Sequence, residues 1–403
     1  YILGWDVDSR IRLRRDDDNE ETFGQLLNRL AEEKPQLQIY VLEWDFAVFY
    51  SLEREFWSQL SFGWMLHERV HFELDDTHPV GASHHQKIVV VDDRLAFVGG
   101  FDLASFRWDT SEHLPQHPQR SDNEQNYGPV HDVQLLVTGE AAQNLAELAR
   151  WRWQRATGES LSAPALPAGD FWPVGAAADF SRQQIAILRT LPAYTGDPEV
   201  REVERFYLQA IEQAEQLLYL ENQYLTSHRI ASALEDSLRQ PQGPEIVIVL
   251  PQRCPGWLEE ETMGVLRKRL HQRLLEADQH QRLLICYPER AGLEEDVIIV
   301  HSKLLVADDQ LLTVGSANLS NRSMSFDSEC NLALAADGDS ERADIIAGLR
   351  NRLLAEHLGR KPQQIAETLA ETGSLLAVIE QLGSEERTLK KLPLGDDLLE
   401  WQA

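Results

Sequence analysis

An internal repeat is the feature that most constrains the fold of this chain of 403 residues. The first copy reads His85-Gln-Lys-Ile-Val-Val-Val-Asp-Asp-Arg-Leu-Ala-Phe-Val-Gly-Gly-Phe-Asp102, and the second reads His301-Ser-Lys-Leu-Leu-Val-Ala-Asp-Asp-Gln-Leu-Leu-Thr-Val-Gly-Ser-Ala-Asn318. Every matched position lies 216 residues from its counterpart, without a gap. Because a repeated sequence unit is the mark of a repeated architecture, we expect two halves with the same fold.

Each copy of the repeat predicts a β-hairpin. Two apolar runs flank an Asp-Asp pair, and a glycine follows the second run. Aspartate favours tight turns between strands, so we interpret Asp92 and Asp308 as turn residues that hold the hairpins. Gly99 and Gly315 mark the exit from each hairpin.

A looser repeat extends upstream of both hairpins. The strand-like run 39–42 matches 247–250, and the run 71–74 matches 284–287, with helical patterns between them. Alternating strands and helices predict the α/β class. We therefore expect an α/β sheet in each half.

Composition places the predicted domain boundaries. A stretch rich in proline, glycine and alanine separates the halves, as is typical of a linker. The predicted segments are a first domain at 1–156, a linker at 157–182, a second domain at 183–360 and a helical C-terminal extension at 361–403. The chain opens as if inside a strand, so we expect further residues upstream.

The repeated histidine and lysine predict a phosphate site. In a strand, residues i and i+2 point to the same face, so His85 projects with Lys87 and His301 with Lys303. If the hairpins face each other, these four side chains converge. The lysines would then neutralise phosphate oxygens, while one histidine attacks phosphorus and the other protonates the leaving oxygen.

Further polar residues follow each hairpin. Asn318 is a candidate donor to the phosphate, and Asp102 is its counterpart in the first half. Asp109 and Glu329 are candidates to orient the catalytic histidines, because a carboxylate on one ring nitrogen sets the tautomer of the other. The alternative for these acids is an ordinary surface position. A single histidine on a strand is usually structural, but the constant offset argues against that interpretation for His85 and His301.

Charge and spacing exclude several other chemistries. The formal net charge of −28 disfavours a general nucleic-acid binder, which needs lysine and arginine against phosphates. The three cysteines have no metal-ligand spacing, no HExxH or HxH pattern occurs, and a lysine inside each motif would repel a cation. We therefore expect no metal and no cofactor. No apolar run approaches the roughly 18 residues that can span a bilayer.

Two copies of HxKxxxxD, each followed by Gly-Gly or Gly-Ser, resemble the phospholipase D superfamily, and the likeness is closest to phospholipases D proper. Four segments support the resemblance, which extends over about residues 1–358: 99–109, 131–135, 221–224 and 315–323. It implies two tandem α/β sandwich domains of the phospholipase D fold, related by a pseudo-twofold axis, with the active site at their interface and a phosphohistidine intermediate. It also implies that His85 is the nucleophile and His301 the general acid and base. The chain departs from the family at Val130, where relatives often carry tryptophan, and shows no amino-terminal lipid-targeting module.

The resemblance predicts hydrolysis of glycerophospholipids to phosphatidic acid and a head-group alcohol, with transphosphatidylation where an alcohol replaces water. The alternatives are a cardiolipin-synthase-like phosphatidyltransferase, a superfamily endonuclease and an inactive duplicated scaffold. The intact motifs argue against the scaffold, and the negative charge argues against the nuclease. The expected partners are a phospholipid at a membrane surface and a water or alcohol acceptor, with no nucleic acid. We expect a monomer, cytoplasmic or peripherally bound to a membrane.

Overall fold

The computed structural model describes residues 1–15, 20–45, 66–122, 125–165, 169, 171–253, 263–293 and 296–394. Within the first half, the described strands are β1 (Ile2–Gly4), β2 (Ile39–Trp44), β3 (Val70–Asp75), β4 (Ile88–Val91), β5 (Leu95–Gly99), β6 (Ser121–Asp122), β7 (Gln125–Asn126), β8 (Val130–His131) and β9 (Gln134–Thr138). The helices are α1 (Phe23–Glu33) and α2 (Glu140–Thr157). Six strands form a mixed sheet in the order β3-β2-β1-β4-β5-β9.

The second half contains a larger sheet. Its strands are β10 (Ala186–Leu191), β11 (Val200–Arg201), β12 (Leu217–Glu221), β13 (Glu245–Val249), β14 (Leu283–Arg290), β15 (Ile299–Val300), β16 (Leu304–Ala307), β17 (Leu311–Gly315), β18 (Glu329–Ala335) and β19 (Arg387–Lys391). The described helices are α3 (Glu202–Gln213), α4 (His228–Arg239), α5 (Val265–Ala277), α6 (Asn321–Ser325), α7 (Ser340–Leu358), α8 (Pro362–Thr372) and α9 (Leu375–Leu382). Nine strands pair in the order β11-β10-β18-β17-β16-β12-β13-β14-β19.

The two sheets repeat the same topology. The series β14-β13-β12-β16-β17-β18 follows the order of the whole first sheet, strand for strand. In both halves, the central strand pairs in parallel with one neighbour and antiparallel with the first strand of the hairpin. The structure therefore confirms the α/β class predicted from the repeat.

The Asp-Asp turns fix the geometry of both hairpins. In both turns two successive aspartates have positive φ, 52° and 54° at Asp92 and Asp93 and the same values at Asp308 and Asp309. Aspartate enters this left-handed region more readily than most residues because its short side chain can bond the local backbone. The Asp308 carboxylate accepts hydrogen bonds from the N–H groups of residues 215–217 and so fastens the turn to the start of β12.

The exit glycines allow neighbouring strands to approach closely. A Cβ on Gly99 would lie 2.5 Å from the carbonyl oxygen of Val133, and a Cβ on Gly315 would collide with Asn331. These contacts leave no room for a side chain. The two glycines are therefore required by the pairing of β5 with β9 and of β17 with β18.

The halves are joined through their sheets and through exchanged main-chain bonds. Ile88 and Val98 of the first half share a core with Cys330 and Leu332 of β18. Strand β8 pairs in parallel with β15, although they belong to different halves. A second bridge pairs His84 with Ser328. Each half thus supplies backbone partners beside the other half's motif.

The C-terminal segment differs from the helical extension expected at 361–403. After α8 and α9, residues 387–391 form β19, which pairs antiparallel with β14. The reason is that β14 would otherwise leave an unpaired edge, and β19 satisfies its backbone groups and buries Leu389. The domain boundaries stay predictions. No helix within the described ranges is long and apolar enough to cross a bilayer.

Candidate active site

The four motif side chains lie in the interior, just before the first strand of each hairpin. Lys87 is 2% exposed and Lys303 is fully buried, so neither is an ordinary surface lysine. Lys87 Nζ lies 3.2 Å from Asp102 Oδ2. Lys303 Nζ donates to the carbonyl oxygen of His301 at 2.5 Å and to Gln223 Oε1 at 3.3 Å. The ammonium groups are thus held in place by neighbouring oxygens.

Each motif histidine is oriented by an acid from the opposite half. His85 Nδ1 lies 3.0 Å from Glu329 Oε2, and His301 Nδ1 lies 2.8 Å from Asp132 Oδ2. The Ser316 hydroxyl donates to the same Glu329 oxygen at 2.5 Å. A carboxylate on Nδ1 leaves Nε2 of each ring available for reaction. The His85 side chain keeps 16% of its surface exposed and His301 keeps 8%, so both rings remain partly accessible.

The electrostatics of this pocket disfavour positive charge. Burial holds the pKa of His85 well below its ordinary value, and Lys87 and Lys303 lower it further. Burial, followed by Lys303 and Arg107, does the same to the pKa of His301. Burial lowers the pKa of Lys303 to about 7, although Asp132 opposes the change. An anion placed among these groups would raise all three pKa values, which is the behaviour expected of an anion site.

The orienting acids respond to the same burial. It raises the pKa of Glu329 to about 8, against the opposing effect of Lys87. It also raises the pKa of Asp132, against the opposing effect of Lys303. Each histidine and its acid therefore form a buried pair in which both neutral forms are favoured. Negative charge from a phosphodiester would stabilise a proton on the histidine.

The residues that follow the hairpins differ between the halves. Asp102 Oδ1 accepts from the backbone N–H of Trp5 at 3.1 Å, and its other oxygen faces Lys87. Asn318 is buried, and within the described part of the chain its Oδ1 has no hydrogen-bond partner. An ion pair therefore lies on one side of the pocket and an amide on the other. The phosphate-contact role of Asn318 stays a prediction.

Asp109 does not contact either motif histidine. Its Oδ2 lies 2.8 Å from His113 Nδ1 and its Oδ1 accepts from Arg120 at 3.1 Å, which places it in the loop between β5 and β9. The expected contact with a catalytic histidine is made by Asp132 instead, because the chain only returns to the pocket as β9 begins.

A signal for Asp132 was present in the pattern of the repeat. The exit glycine Gly99 pairs with Gln134, and Gly315 pairs with Asn331. Asp132 and Glu329 each lie two residues before these partners. If β9 had been aligned with β18, both acids would have been found at the same position. Counting residues forward from each motif histidine does not find Asp132.

A second buried network lies behind His301. Both ring nitrogens of His131 lie 2.7 Å from a carboxylate oxygen, Nε2 from Glu221 and Nδ1 from Glu356. Glu221 also lies 3.0 Å from His357 Nε2 and accepts from the Ser302 hydroxyl at 2.7 Å. The sequence patterns did not connect these residues.

Two sets of side chains in this network bring potential metal-ligand atoms within 4.8 Å of one another: His113, His131 and Glu356, and His131, Glu221 and His357. Two ligands on a tetrahedral zinc ion are about 3.4 Å apart, given metal–ligand bonds of about 2.1 Å. The 2.7 Å separations at His131 are instead those of charge-assisted hydrogen bonds. The geometry therefore fits an ion-pair network better than a metal site.

Comparisons with known proteins identify the same family as the duplicated HxKxxxxD motif. Residues 1–236 match the family model described as phospholipase D, and residues 207–347 match the model described as cardiolipin synthase, PLD-like domain. The chain is 25% identical to Phospholipase D A of Dictyostelium discoideum over 356 residues, covering 71% of this chain and 28% of that protein. It is 27% identical to Phospholipase D1 of Saccharomyces cerevisiae over 372 residues, covering 69% and 22%.

The chain thus spans less than a third of the length of these two relatives. Among solved structures, it is similar to a phosphatidylserine synthase from Haemophilus influenzae Rd KW20, with a TM-score of 0.55 and 14% identity. That match covers 93% of this chain and 88% of the synthase and shows a shared fold. Since one family model matches more than half of the residues, the chain belongs to the phospholipase D superfamily, as the duplicated motif predicted.

Proposed function

We propose that the protein is a phosphodiesterase of the phospholipase D type. It hydrolyses glycerophospholipids at a membrane surface to phosphatidic acid and a head-group alcohol. The observation that carries the proposal is the pair of histidines, His85 and His301, each oriented by a buried acid of the opposite half and flanked by a buried lysine. The names of the curated relatives support the same activity.

In the first step, His85 is neutral and its Nδ1–H donates to Glu329. Its Nε2 lone pair forms a bond to phosphorus while the bond from phosphorus to the head-group oxygen breaks. The electron pair leaves with that oxygen, which receives a proton from Nε2 of His301. Lys87 and Lys303 stabilise the charge on the non-bridging oxygens, and Asn318 adds a neutral contact.

In the second step, His301 is neutral and accepts a proton from water. The water oxygen bonds to phosphorus, the phosphorus–nitrogen bond breaks, and its electron pair returns to His85. The products are phosphatidic acid and the original histidines. An alcohol in the place of water gives transphosphatidylation by the same sequence, and no metal takes part. Because both half-sites belong to one chain, the enzyme acts as a monomer.

A phosphatidyltransferase is the second candidate. The match of residues 207–347 to the cardiolipin synthase model favours it, and the same histidines and lysines would serve an alcohol acceptor. A nuclease is disfavoured by the net charge of −28, which repels a polyanion.

The test uses vesicles of phosphatidylcholine or phosphatidylethanolamine with labelled head groups, with and without a primary alcohol, in the presence of a metal chelator. We expect head-group release that is lost in His85→Ala and in His301→Ala. His228→Ala is the matched control, because it removes an exposed histidine from the start of α4. Release only with alcohol present would favour the transferase. No turnover of any lipid, together with cleavage of single-stranded DNA, would refute the lipase.

A further inference from the structure

The imidazole of His131 is held between two carboxylates, and we call His131, Glu221 and Glu356 the His131 clamp. Both ring nitrogens lie 2.7 Å from a carboxylate oxygen, so both must carry a proton for both hydrogen bonds to form. Burial opposes this charge, but Glu221 and Glu356 outweigh it and raise the pKa of His131 well above its ordinary value. The clamp is therefore an ion-paired anchor rather than a neutral hydrogen bond.

The segment that carries this anchor also holds His301. The carbonyl oxygen of His131 accepts from the backbone N–H of His301 at 2.7 Å. The next residue, Asp132, contacts Nδ1 of the same histidine at 2.8 Å. The position of residues 130–132 consequently sets both the backbone and the ring of His301.

The two orienting acids differ in how the fold supports them. Glu329 lies in β18, which pairs with β10 on one side and β17 on the other. Asp132 lies between β8 and β9, outside both strands, and β8 is two residues long and pairs only with β15 among the described strands. Strand pairing therefore holds Glu329 but not Asp132. The clamp anchors this segment through the side chain of His131, next to Asp132, while the Val130 N–H donates to Asp109 Oδ2 at 2.9 Å.

We propose that the His131 clamp is a positioning device for His301, in which Glu221 and Glu356 hold His131 and thereby fix the carboxylate of Asp132. This inference rests on the proposed function, in which His301 is the general acid and base. Glu356 belongs to α7, so the clamp links the catalytic histidine to a helix outside the repeated hairpins.

Several polar, charged and titratable groups face the clamp from the elements that pack against it. Glu221 and Tyr219 come from β12, Glu356 and His357 from α7, Ser302 from the second motif, and Asp109, His113 and Arg120 from the loop between β5 and β9. Arg387 of β19 also acts electrostatically on Glu356.

Among the three clamp residues, Glu356 is the best target for substitution. Its side chain is 22% exposed, so its replacement leaves no fully buried vacancy in the network.

The test compares Glu356→Gln with Asp309→Asn. Asp309→Asn is the control. It also removes a carboxylate that pairs with a residue of α7, since Asp309 lies 2.7 Å from Arg350, but Asp309 belongs to the hairpin turn and not to the clamp. For Glu356→Gln we expect kcat for head-group release to fall about 10-fold to 100-fold with KM within about twofold, the pattern of lost transition-state positioning. The basic limb of the kcat profile should move down by about half a pH unit or more, because a weaker Asp132 contact destabilises protonated His301.

Glu356→Asp keeps the charge and should restore the profile towards that of the parent protein. Asp309→Asn should keep kcat within about twofold. A fall in kcat for Glu356→Gln no larger than that of the control, with an unshifted pH profile, would overturn the proposal.

Nuclear magnetic resonance of protein labelled with ¹⁵N-histidine provides a readout that needs no turnover. We expect His131 to be protonated on both nitrogens at pH 8, and Glu356→Gln to change the tautomer ratio of His301 but not that of His85. Unchanged His301 signals in that variant would refute the clamp. If the parent protein turned over no phosphodiester, the proposed function would fail, and the His301 signals would still decide whether the clamp positions the ring.

Discussion

Binding of an oxyanion between the two motif lysines should cause Lys303 to take up most of one proton at pH 8. Lys303 has a pKa of about 7, lowered chiefly by burial, against an ordinary value of 10.5. At pH 8 about a tenth of this group is therefore charged, and an anion that restores its pKa would draw in about 0.9 proton per site. Burial holds the pKa values of His85 and His301 well below 6.5 in the free protein, so any rise that the anion causes in them adds to the uptake at Lys303.

The sign of this linkage predicts how affinity depends on pH. A group whose pKa is raised by binding gives its full contribution below the pKa of the free protein, and the contribution is lost as the pH rises. The affinity for the anion should consequently fall by up to tenfold for each pH unit between about 7 and 10.

Calorimetric titration with tungstate, repeated in buffers of different ionisation enthalpy, measures the proton uptake directly. Lys303→Met should reduce the uptake by most of one proton, because the titrating ammonium group is gone and only the motif histidines and Glu329 are left to take up protons. Lys34→Met, which removes an exposed lysine, is the matched control and should behave as the parent protein does. Measurable tungstate binding with an enthalpy independent of the buffer would refute the assignment of a charge-depleted lysine to the anion site.

Three further perturbations test the site and the fold. Asp132→Asn should lower kcat for head-group release by roughly 10² to 10⁴, whereas Asp109→Asn, which keeps an oxygen to accept from the Val130 N–H, should lower it by less than about tenfold; equal losses would contradict the placement of these acids. Glu221→Gln should reduce the free energy of unfolding in urea by about 3–5 kcal/mol, because it removes the fully buried one of the two carboxylates that pair with the His131 imidazolium, and a loss below about 1 kcal/mol would contradict this. Gly315→Ala should cost about 1–3 kcal/mol in the same measurement because a Cβ there collides with the neighbouring strand, while Gly348→Ala, where nothing lies within 4 Å, should not destabilise the protein.

The hairpins and the shared α/β class of the two halves followed from the repeat, because a matched pattern without gaps leaves little freedom in how each copy folds, whereas the order of the strands in each sheet was not predicted. The pairing of Glu329 was harder to predict. It was expected near a motif histidine, but the sequence could not say that it orients His85 of the opposite half. That contact depends on how the two sheets pack, which no local pattern describes.

The misplacement of Asp109 has a simple physical cause. Gly99 and its strand partner Gln134 are 35 positions apart, whereas Gly315 and Asn331 are 16 apart. Asp109, chosen by its distance along the sequence from His85, therefore falls within the long loop and not at the pocket.

The edge strand β19 was missed for a different reason. Its sequence, Arg-Thr-Leu-Lys-Lys, buries Leu389 and Arg387 on one side but has little strand character of its own. It forms because β14 offers an unpaired edge. Such elements depend on a partner far along the chain, so short-range patterns do not predict them.

The exchange of acids between the halves has a consequence for synthesis of the protein. The carboxylate that orients His85 belongs to a residue 244 positions later, and Glu356 of the clamp follows later still. A nascent chain that has completed the first half carries His85 and Lys87 but has no orienting acid for the nucleophile. Contacts of such sequence separation also form late, since closing a long loop costs chain entropy. Under the proposed mechanism, competence to cleave a phosphodiester is thereby delayed until nearly the whole duplicated unit has left the ribosome.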